Sequence, residues 1–168
     1  MRLARLIGLM NGDTSYKHIV AFHNQYSSEM AVARGSNVKH QAWEGGYADH
    51  IAECLRIAWH MYKGLEGIRR LPFELSSACK VLYFHDIEKI WKYGHNKPPF
   101  VAMDKMAWYH VYLPQRGICF SNEEVNAFTH IHGEVGYGQD RRMGGLGAFC
   151  HSCDVLSARM WWNYGRGD

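Results

Sequence analysis

The chain has 168 residues, which is enough for one domain with a hydrophobic core of real size. Hydrophobic residues make up 47% of it and aromatic residues 14%, and this composition excludes a disordered segment. The formal net charge is only +3 and no long basic run occurs, so stable nucleic-acid binding is not expected.

The cysteines and the apolar segments bear on where the protein works. Five cysteines are an odd number, and we read no secretion signal, so we expect reduced thiols and a cytoplasmic location, in the producing cell or in an infected one. No segment approaches the run of about 20 apolar residues that a membrane span needs. We therefore expect no membrane partner, while the supply of aromatic residues leaves room for a homo-oligomer.

The spacing of apolar residues predicts an all-α fold in a single domain over residues 1–168. The opening MRLARLIGLM has helical spacing, which predicts a short amphipathic helix or an N-terminal extension within residues 1–13. Further on, apolar residues recur at intervals of three and four, and the alternation typical of strands is rare. The predicted helices cover residues 14–33, 47–63, 73–92, 102–113, 121–132 and 145–163. Glycines stand where helix ends are expected, at Gly35, Gly64 and Gly94.

The third predicted helix directs polar residues toward its buried side. A helix turns by about 100° per residue, so each side chain can be placed relative to Leu75 on the apolar stripe. His85 then lies about 80° to one side, Asp86 about 20° to the other and Lys89 about 40° away. Glu88 points outward. Because an unpaired buried carboxylate is costly, a positive group must lie near Asp86, either Lys89 or a metal ion.

Two other predicted helices repeat this pattern. On the second, His50 shares its face with Cys54, while Glu53 falls on the opposite, polar side. On the last, Asp154 shares its face with Cys150. Buried titratable groups are therefore expected on three helices of one small domain.

The fifth predicted helix opens with SNEE at Ser121–Glu124, which is typical of a capping box. Its inner stripe is defined by Val125 and Phe128. His132 falls on this stripe by the helical count, and His130 does not. His132 is therefore expected near the other buried polar groups.

These groups can be explained one by one or together. A lone inward His is more often a hydrogen-bonded core residue, Asp154 alone would serve to start a helix, and His85–Asp86 alone would form a cap or an ion pair with Lys89. Two buried His and two buried Asp, however, would be satisfied together by one divalent cation. Mixed imidazole and carboxylate ligands suit Mn, Fe, Co, Ni or Zn, with Mg as an alternative.

Four segments, in chain order, resemble the motifs of the HD-domain metal-dependent phosphohydrolases, including small phage-encoded and bacterial members. The segments are HQAWEGGYADH from His40, VLYFHDIEK, SNEEVNAFTHIHGE and CHSCDVLSA, and they span residues 38–160. VLYFHDIEK matches the family's LLHDIGK, with Lys89 at the family's Lys and Glu88 in place of its Gly. The resemblance implies a compact multi-helix bundle with a metal site between helices.

Carried over position by position, the resemblance makes four residues the metal ligands: His50, His85, Asp86 and Asp154. Some family members hold a second metal with extra His residues, a role that would fall to His110 and His132 here. We favour one metal, with His132 beside it either as a proton donor or as a group that supports a ligand from behind.

The resemblance implies metal-assisted hydrolysis of a nucleotide, either a nucleoside monophosphate or a dNTP. Lys89 would neutralise charge on the phosphate, and His132 or, with less support, Glu88 would move protons. The expected substrate-binding residues are Arg141 and Arg142 for further phosphates, Trp43 for stacking on the base, and His40. The nucleotide itself is expected only from the resemblance.

Three other functions stay open at this point. A di-iron oxygenase would need His110 and His132 as metal ligands. A non-catalytic domain would bind a nucleotide or a protein partner and use the metal structurally. CHSC at Cys150–Cys153 would be a zinc or redox site, although it lacks a second cysteine pair.

Overall fold

A computed structural model describes residues 3–96, 98–99, 104–134 and 142–160. These residues contain no β-strand and form a compact helical bundle, so the predicted all-α fold is confirmed. None of the helices in this part of the chain is both long and apolar enough to cross a membrane. The helices are α1 (Leu3–Leu6), α2 (Tyr16–Val32), α3 (Gly46–Ile68), α4 (Leu75–Phe84), α5 (Lys89–Lys92), α6 (Lys105–Ala107), α7 (Asn122–His130) and α8 (Gly145–Met160).

Helix α4 runs through the centre of the bundle. Its residues from Ala78 to Phe84 are all buried, and it packs against α3, α7, α8 and the 3₁₀ turn Ile7–Met10 that follows α1. The N-terminal segment belongs to the same core, since four of its apolar side chains are buried: Leu3, Leu6, Ile7 and Met10. A helix that is apolar all round is expected in such a central position.

The prediction of one helix over residues 73–92 is wrong. Helix α4 ends at Phe84, and α5 begins only at Lys89. Between them the backbone N–H groups of Ile87, Lys89 and Ile90 bond to carbonyls three residues back, at 3.1, 2.9 and 3.3 Å. This is 3₁₀ spacing, in which side chains three residues apart lie above one another.

Other helix ends also differ from the prediction. Helix α3 does not stop at Gly64 but continues to Ile68, because Gly64 faces open space and a glycine there costs only about 1 kcal/mol. Helix α6 gives way to a π-helical turn at Trp108–Tyr112 and a 3₁₀ turn at Pro114–Arg116. Residues 161–163, predicted to end the last helix, lie outside the described residues.

Helix α7 begins with the predicted capping box, in which Ser121 and Glu124 each bond to the other's backbone N–H. The prediction of which face of this helix is buried is wrong by part of a turn. His130 is buried and His132 is exposed, because the inner stripe passes through Ala127 and the helix ends at His130.

A buried ion cluster joins α4 to α7 and to the segment before α2. Nζ of Lys80 lies 2.6 Å from Oδ2 of Asp13 and 2.9 Å from Oε2 of Glu124, and it donates to the Cys119 carbonyl at 3.1 Å. Only 3% of Lys80 is exposed. Two carboxylates and a carbonyl therefore satisfy a lysine that lies inside the core.

Candidate metal centre

Three segments bring the four predicted ligands together. Helix α3 contributes His50, the turn after α4 contributes His85 and Asp86, and α8 contributes Asp154. All four side chains are buried, with exposed fractions between 0% and 8%. We call these four residues the HD cluster.

One nitrogen or oxygen atom of each residue points into the middle of the HD cluster. Nε2 of His50 lies 3.3 Å from Nε2 of His85, and these two atoms lie 3.1 and 3.4 Å from Oδ1 of Asp154. Oδ2 of Asp86 lies 3.2 Å from Nε2 of His85 and 3.9 Å from Nε2 of His50. Each of the two carboxylates thus lies close to both imidazole rings.

The backs of both imidazole rings are held by other groups. Nδ1 of His85 donates to the Leu82 carbonyl at 2.8 Å, and Nδ1 of His50 lies 2.9 Å from the hydroxyl oxygen of Ser157. Each ring therefore turns Nε2 toward the HD cluster. Ligand histidines in metal sites are usually oriented in this way, by a hydrogen bond on the nitrogen that does not bind the metal.

The spacing of the HD cluster fits a divalent transition metal. Donor atoms about 2.1 Å from one ion lie about 3.0 Å apart in octahedral and 3.4 Å apart in tetrahedral geometry. Four of the five observed separations, at 3.1, 3.2, 3.3 and 3.4 Å, match that range, and the fifth, between Nε2 of His50 and Oδ2 of Asp86, is longer at 3.9 Å. Cys54 fits less well, although its sulfur lies 3.8 Å from Nε2 of His50, because burial raises the pKa of its thiol well above the usual value and only a thiolate binds a metal.

Charges within the HD cluster are strongly coupled. Burial lowers the pKa of His50, so this imidazole is neutral at pH 7. Burial also disfavours charge on His85, but Asp86 and Asp154 outweigh it and raise the pKa of His85 to about 10. Burial alone would raise the pKa of both carboxyl groups, yet their cationic and hydrogen-bonding neighbours hold each pKa below its usual value.

Three further side chains line the exposed edge of the HD cluster. Lys89 contacts Oδ2 of Asp86 at 2.5 Å and is 16% exposed, while Lys105 lies 3.5 Å from Oδ1 of Asp86 and is 31% exposed. His132 lies 3.4 Å from Oδ2 of Asp154. Nζ of Lys105 can only donate, so at 3.2 Å it makes Nε2 of His132 an acceptor and leaves the ring hydrogen on Nδ1, facing Asp154. All three side chains are partly exposed to solvent.

Glu88 does not point outward as predicted. Its side chain is 28% exposed, Oε1 lies 3.7 Å from Nζ of Lys105, and Oε2 is buried. The reason is the 3₁₀ spacing of the turn, which places Glu88 above His85 instead of on the far side of a regular helix. Glu88 therefore lies at the edge of the site.

The remaining predicted substrate residues lie in different places. His40 is half-buried beside the site, with its ring centre 4.9 Å from that of His50 and its Nδ1 2.6 Å from Oε1 of Gln41. Trp43 is half-buried and donates to Asp49 at 2.8 Å. Arg142 is exposed, and its carbonyl accepts from Asn126 at 3.0 Å. Arg141 lies outside the described residues.

The geometry does not support His110 as a metal ligand, nor Cys150 and Cys153 as a zinc or redox site. His110 is exposed on the π-helical turn, and within the described residues no contact joins it to the HD cluster. Cys150 and Cys153 are buried in the core, where burial raises the pKa of Cys153 to about 12. These cysteines are protonated thiols that fill the interior.

No family model, curated protein or solved structure matches this chain. The site also includes three residues that the sequence did not single out as part of it: Lys105, Glu53 and Ser157. Lys105 has no recognisable motif around it, Glu53 was placed on the polar face of α3, and Ser157 was an unremarked position after Asp154. A possible signal for Ser157 was its spacing of three residues from Asp154, which puts both on one helix face.

Proposed function

We propose that this protein is a metal-dependent phosphohydrolase of the HD-domain type, which acts on a nucleotide, either a nucleoside monophosphate or a dNTP. The single observation that supports this best is that the Nε2 atoms of His50 and His85 lie 3.3 Å apart and that each of the two Asp residues places one carboxylate oxygen 3.1 to 3.9 Å from both of them. His50, His85, Asp86 and Asp154 would hold one divalent cation, chosen from Mn, Fe, Co, Ni, Zn or Mg.

The bound cation would supply a water of lowered pKa and would polarise a phosphoryl oxygen. The protein's part is to place the phosphate and to balance its charge, since phosphoryl transfer depends mostly on position and electrostatics. Lys89 and Lys105 are the cations nearest to the opening and would bind the phosphoryl oxygens.

His132 is the residue best placed to move a proton. Its ring is 57% exposed, it borders the carboxylate of Asp154, and its Nε2 accepts from Lys105. Release of Lys105 to a phosphate would free Nε2 of His132 to accept a proton from an attacking water. Glu88 also lies at the edge of the site and is the second candidate for moving a proton.

A di-iron oxygenase is the less supported alternative. It would need His110 and His132 as ligands, and His110 lies exposed on the π-helical turn. Two metal ions per chain and oxygen uptake would support that alternative against hydrolysis.

A phosphate-release screen tests the proposal. Nucleoside mono-, di- and triphosphates, ribo and deoxy, and cyclic dinucleotides are to be incubated with the purified chain and each of Mn²⁺, Co²⁺, Ni²⁺ and Mg²⁺. We expect turnover of at least one nucleotide that is abolished by a chelator and restored by metal. If no combination of nucleotide and metal ion gives turnover, the hydrolase proposal is rejected.

A matched pair of variants links the activity to the HD cluster. His50→Gln removes one ligand and should lower the activity by at least about 100-fold. His60→Gln makes the same change on the exposed side of α3 and should leave the activity unchanged. Asp154→Asn provides a second test, and circular dichroism shows whether each variant is folded. Equal activities of the two His variants would contradict the assignment.

A further inference from the structure

The hydrogen bonds behind His50 lead away from the HD cluster to another carboxylate. The hydroxyl oxygen of Ser157 lies 2.9 Å from Nδ1 of His50 and 2.8 Å from Oε2 of Glu53. Glu53 lies on α3 with His50, and Ser157 lies on α8 with Asp154. The same three-residue chain therefore joins the two helices that contribute these ligands.

The carboxylate fixes the direction of this chain. An ionised Glu53 can only accept, so Ser157 must give it the single hydrogen of its hydroxyl group. The Ser157 oxygen is then left as an acceptor for an N–H of His50. The hydrogen of the neutral imidazole is thereby held on Nδ1, and the lone pair of Nε2 faces the HD cluster.

The side chain of Gln41 holds Glu53 in place, and the backbone of Gln41 itself is strained. Its side-chain amide donates to Oε2 of Glu53 at 2.7 Å, and its own backbone carbonyl accepts from Gly35 at 3.0 Å. Gln41 is fully buried and has a φ of +43°, a left-handed conformation that costs a residue with a side chain about 1 to 2 kcal/mol. Strain of this kind persists where the surroundings enforce it, often at functional sites.

We propose that Glu53 is a positioning residue, which acts through Ser157 to hold His50 in the tautomer that can bind a metal ion at Nε2. In metal sites generally, loss of such an outer partner lowers metal affinity by about 10- to 100-fold. This inference rests on the cation site of the proposed function and is independent of whether a nucleotide is hydrolysed.

The tautomer of His50 can be measured in the metal-free protein. Two-bond ¹H–¹⁵N NMR spectra of ¹⁵N-histidine-labelled chain distinguish a hydrogen on Nδ1 from one on Nε2, and His50→Gln identifies the signal. We expect His50 as the Nδ1–H form in the wild type and a mixture of both forms in Glu53→Gln. A hydrogen on Nε2 in the wild type would overturn the inference.

Metal titration measures how much Glu53 and Ser157 contribute to the affinity for a metal ion. Calorimetry with Zn²⁺ should show about 10-fold weaker binding for Glu53→Gln and about 10- to 100-fold weaker binding for Ser157→Ala. Ser157→Thr keeps the hydroxyl and should restore most of the affinity. Glu29→Gln, a matched change at a half-buried position of α2, should have no effect. Affinities of Glu53→Gln and Ser157→Ala within twofold of the wild type would overturn the inference.

Gln41→Gly separates positioning from simple structural support. Glycine relieves the strain at φ +43°, so a purely structural role predicts unchanged or higher stability and unchanged Zn²⁺ affinity. The positioning role predicts weaker Zn²⁺ binding, because Glu53 loses its donor. If the wild type binds no Zn²⁺, Co²⁺ or Mn²⁺ at all, the proposed function fails. The tautomer of His50, measured in the same sample, still tests whether Glu53 positions His50.

Discussion

At the scale of single residues, His85 carries the charge that a metal ion would have to displace. Its ring is fully buried between Asp86 and Asp154, and these carboxylates raise its pKa to about 10 against the effect of burial. The other three residues of the HD cluster are already in the protonation states that metal binding would need at pH 7, because the pKa of His50 and those of the two carboxyl groups are lowered.

Binding of Zn²⁺ at pH 7 should therefore release about one proton per chain, from Nε2 of His85. Because a proton competes with the metal below a pKa of about 10, the affinity should rise about tenfold per pH unit through neutral pH. Calorimetry in buffers of different ionisation enthalpy counts the protons. Release of none, or of two, would contradict this account of His85.

Lys105 should contribute to substrate turnover without binding the metal. Lys105→Met keeps the length of the side chain but removes its charge, and it should lower kcat/KM for a nucleotide about 10- to 100-fold because a phosphoryl oxygen loses a charged donor. Zn²⁺ affinity should change little. Lys17→Met, at an exposed position of α2, is the control. An unchanged kcat/KM would show that Lys105 lies outside the substrate site.

Residues whose role depends on their own helix could be anticipated, and residues whose role depends on distant partners could not. Counting 100° per residue placed His50, His85 and Asp154 on buried faces, because each shares its face with local apolar neighbours. Lys80 gave no such signal, since its partners Asp13 and Glu124 lie far away in the sequence.

At the scale of elements, the turn that carries His85 and Asp86 was missed for an identifiable reason. Apolar residues continue on the buried side at Ile87 and Ile90, so the sequence pattern looks like an uninterrupted helix. No Gly or Pro marks the change to 3₁₀ spacing. The tighter turn brings Asp86 beneath Lys89, which explains their close contact.

The capping box of α7 should stabilise the helix that leads to His132. Ser121→Ala removes the acceptor for the Glu124 N–H and should lower the free energy of unfolding by about 1 kcal/mol. Urea titration followed by circular dichroism measures it. Ser152→Ala, inside α8, makes the same change where alanine is the better helix former, so it should be neutral or slightly stabilising. Equal losses in both variants would contradict a specific capping effect.

At the scale of the whole molecule, the HD cluster ties together segments that are far apart in the chain. A cation bound to α3, α8 and the turn after α4 favours the folded state over the unfolded one. At a concentration 100 times Kd, Zn²⁺ should add about 2.7 kcal/mol and raise Tm by about 5 to 10 °C. Differential scanning calorimetry measures the shift. A full shift in His50→Gln would show that the metal binds elsewhere.

The buried ion cluster of Lys80 opposes local unfolding of the N-terminal segment and of α7. Asp13 follows the N-terminal segment and Glu124 belongs to α7, so detaching either one would break one of the two ion pairs of Lys80 inside the core. Loss of both partners would leave the charge of Lys80 uncompensated, which costs about 3 to 5 kcal/mol. Local fraying of the N-terminus is therefore penalised, and the backbone amides of α1 and α7 should exchange with deuterium together, as one cooperative unit.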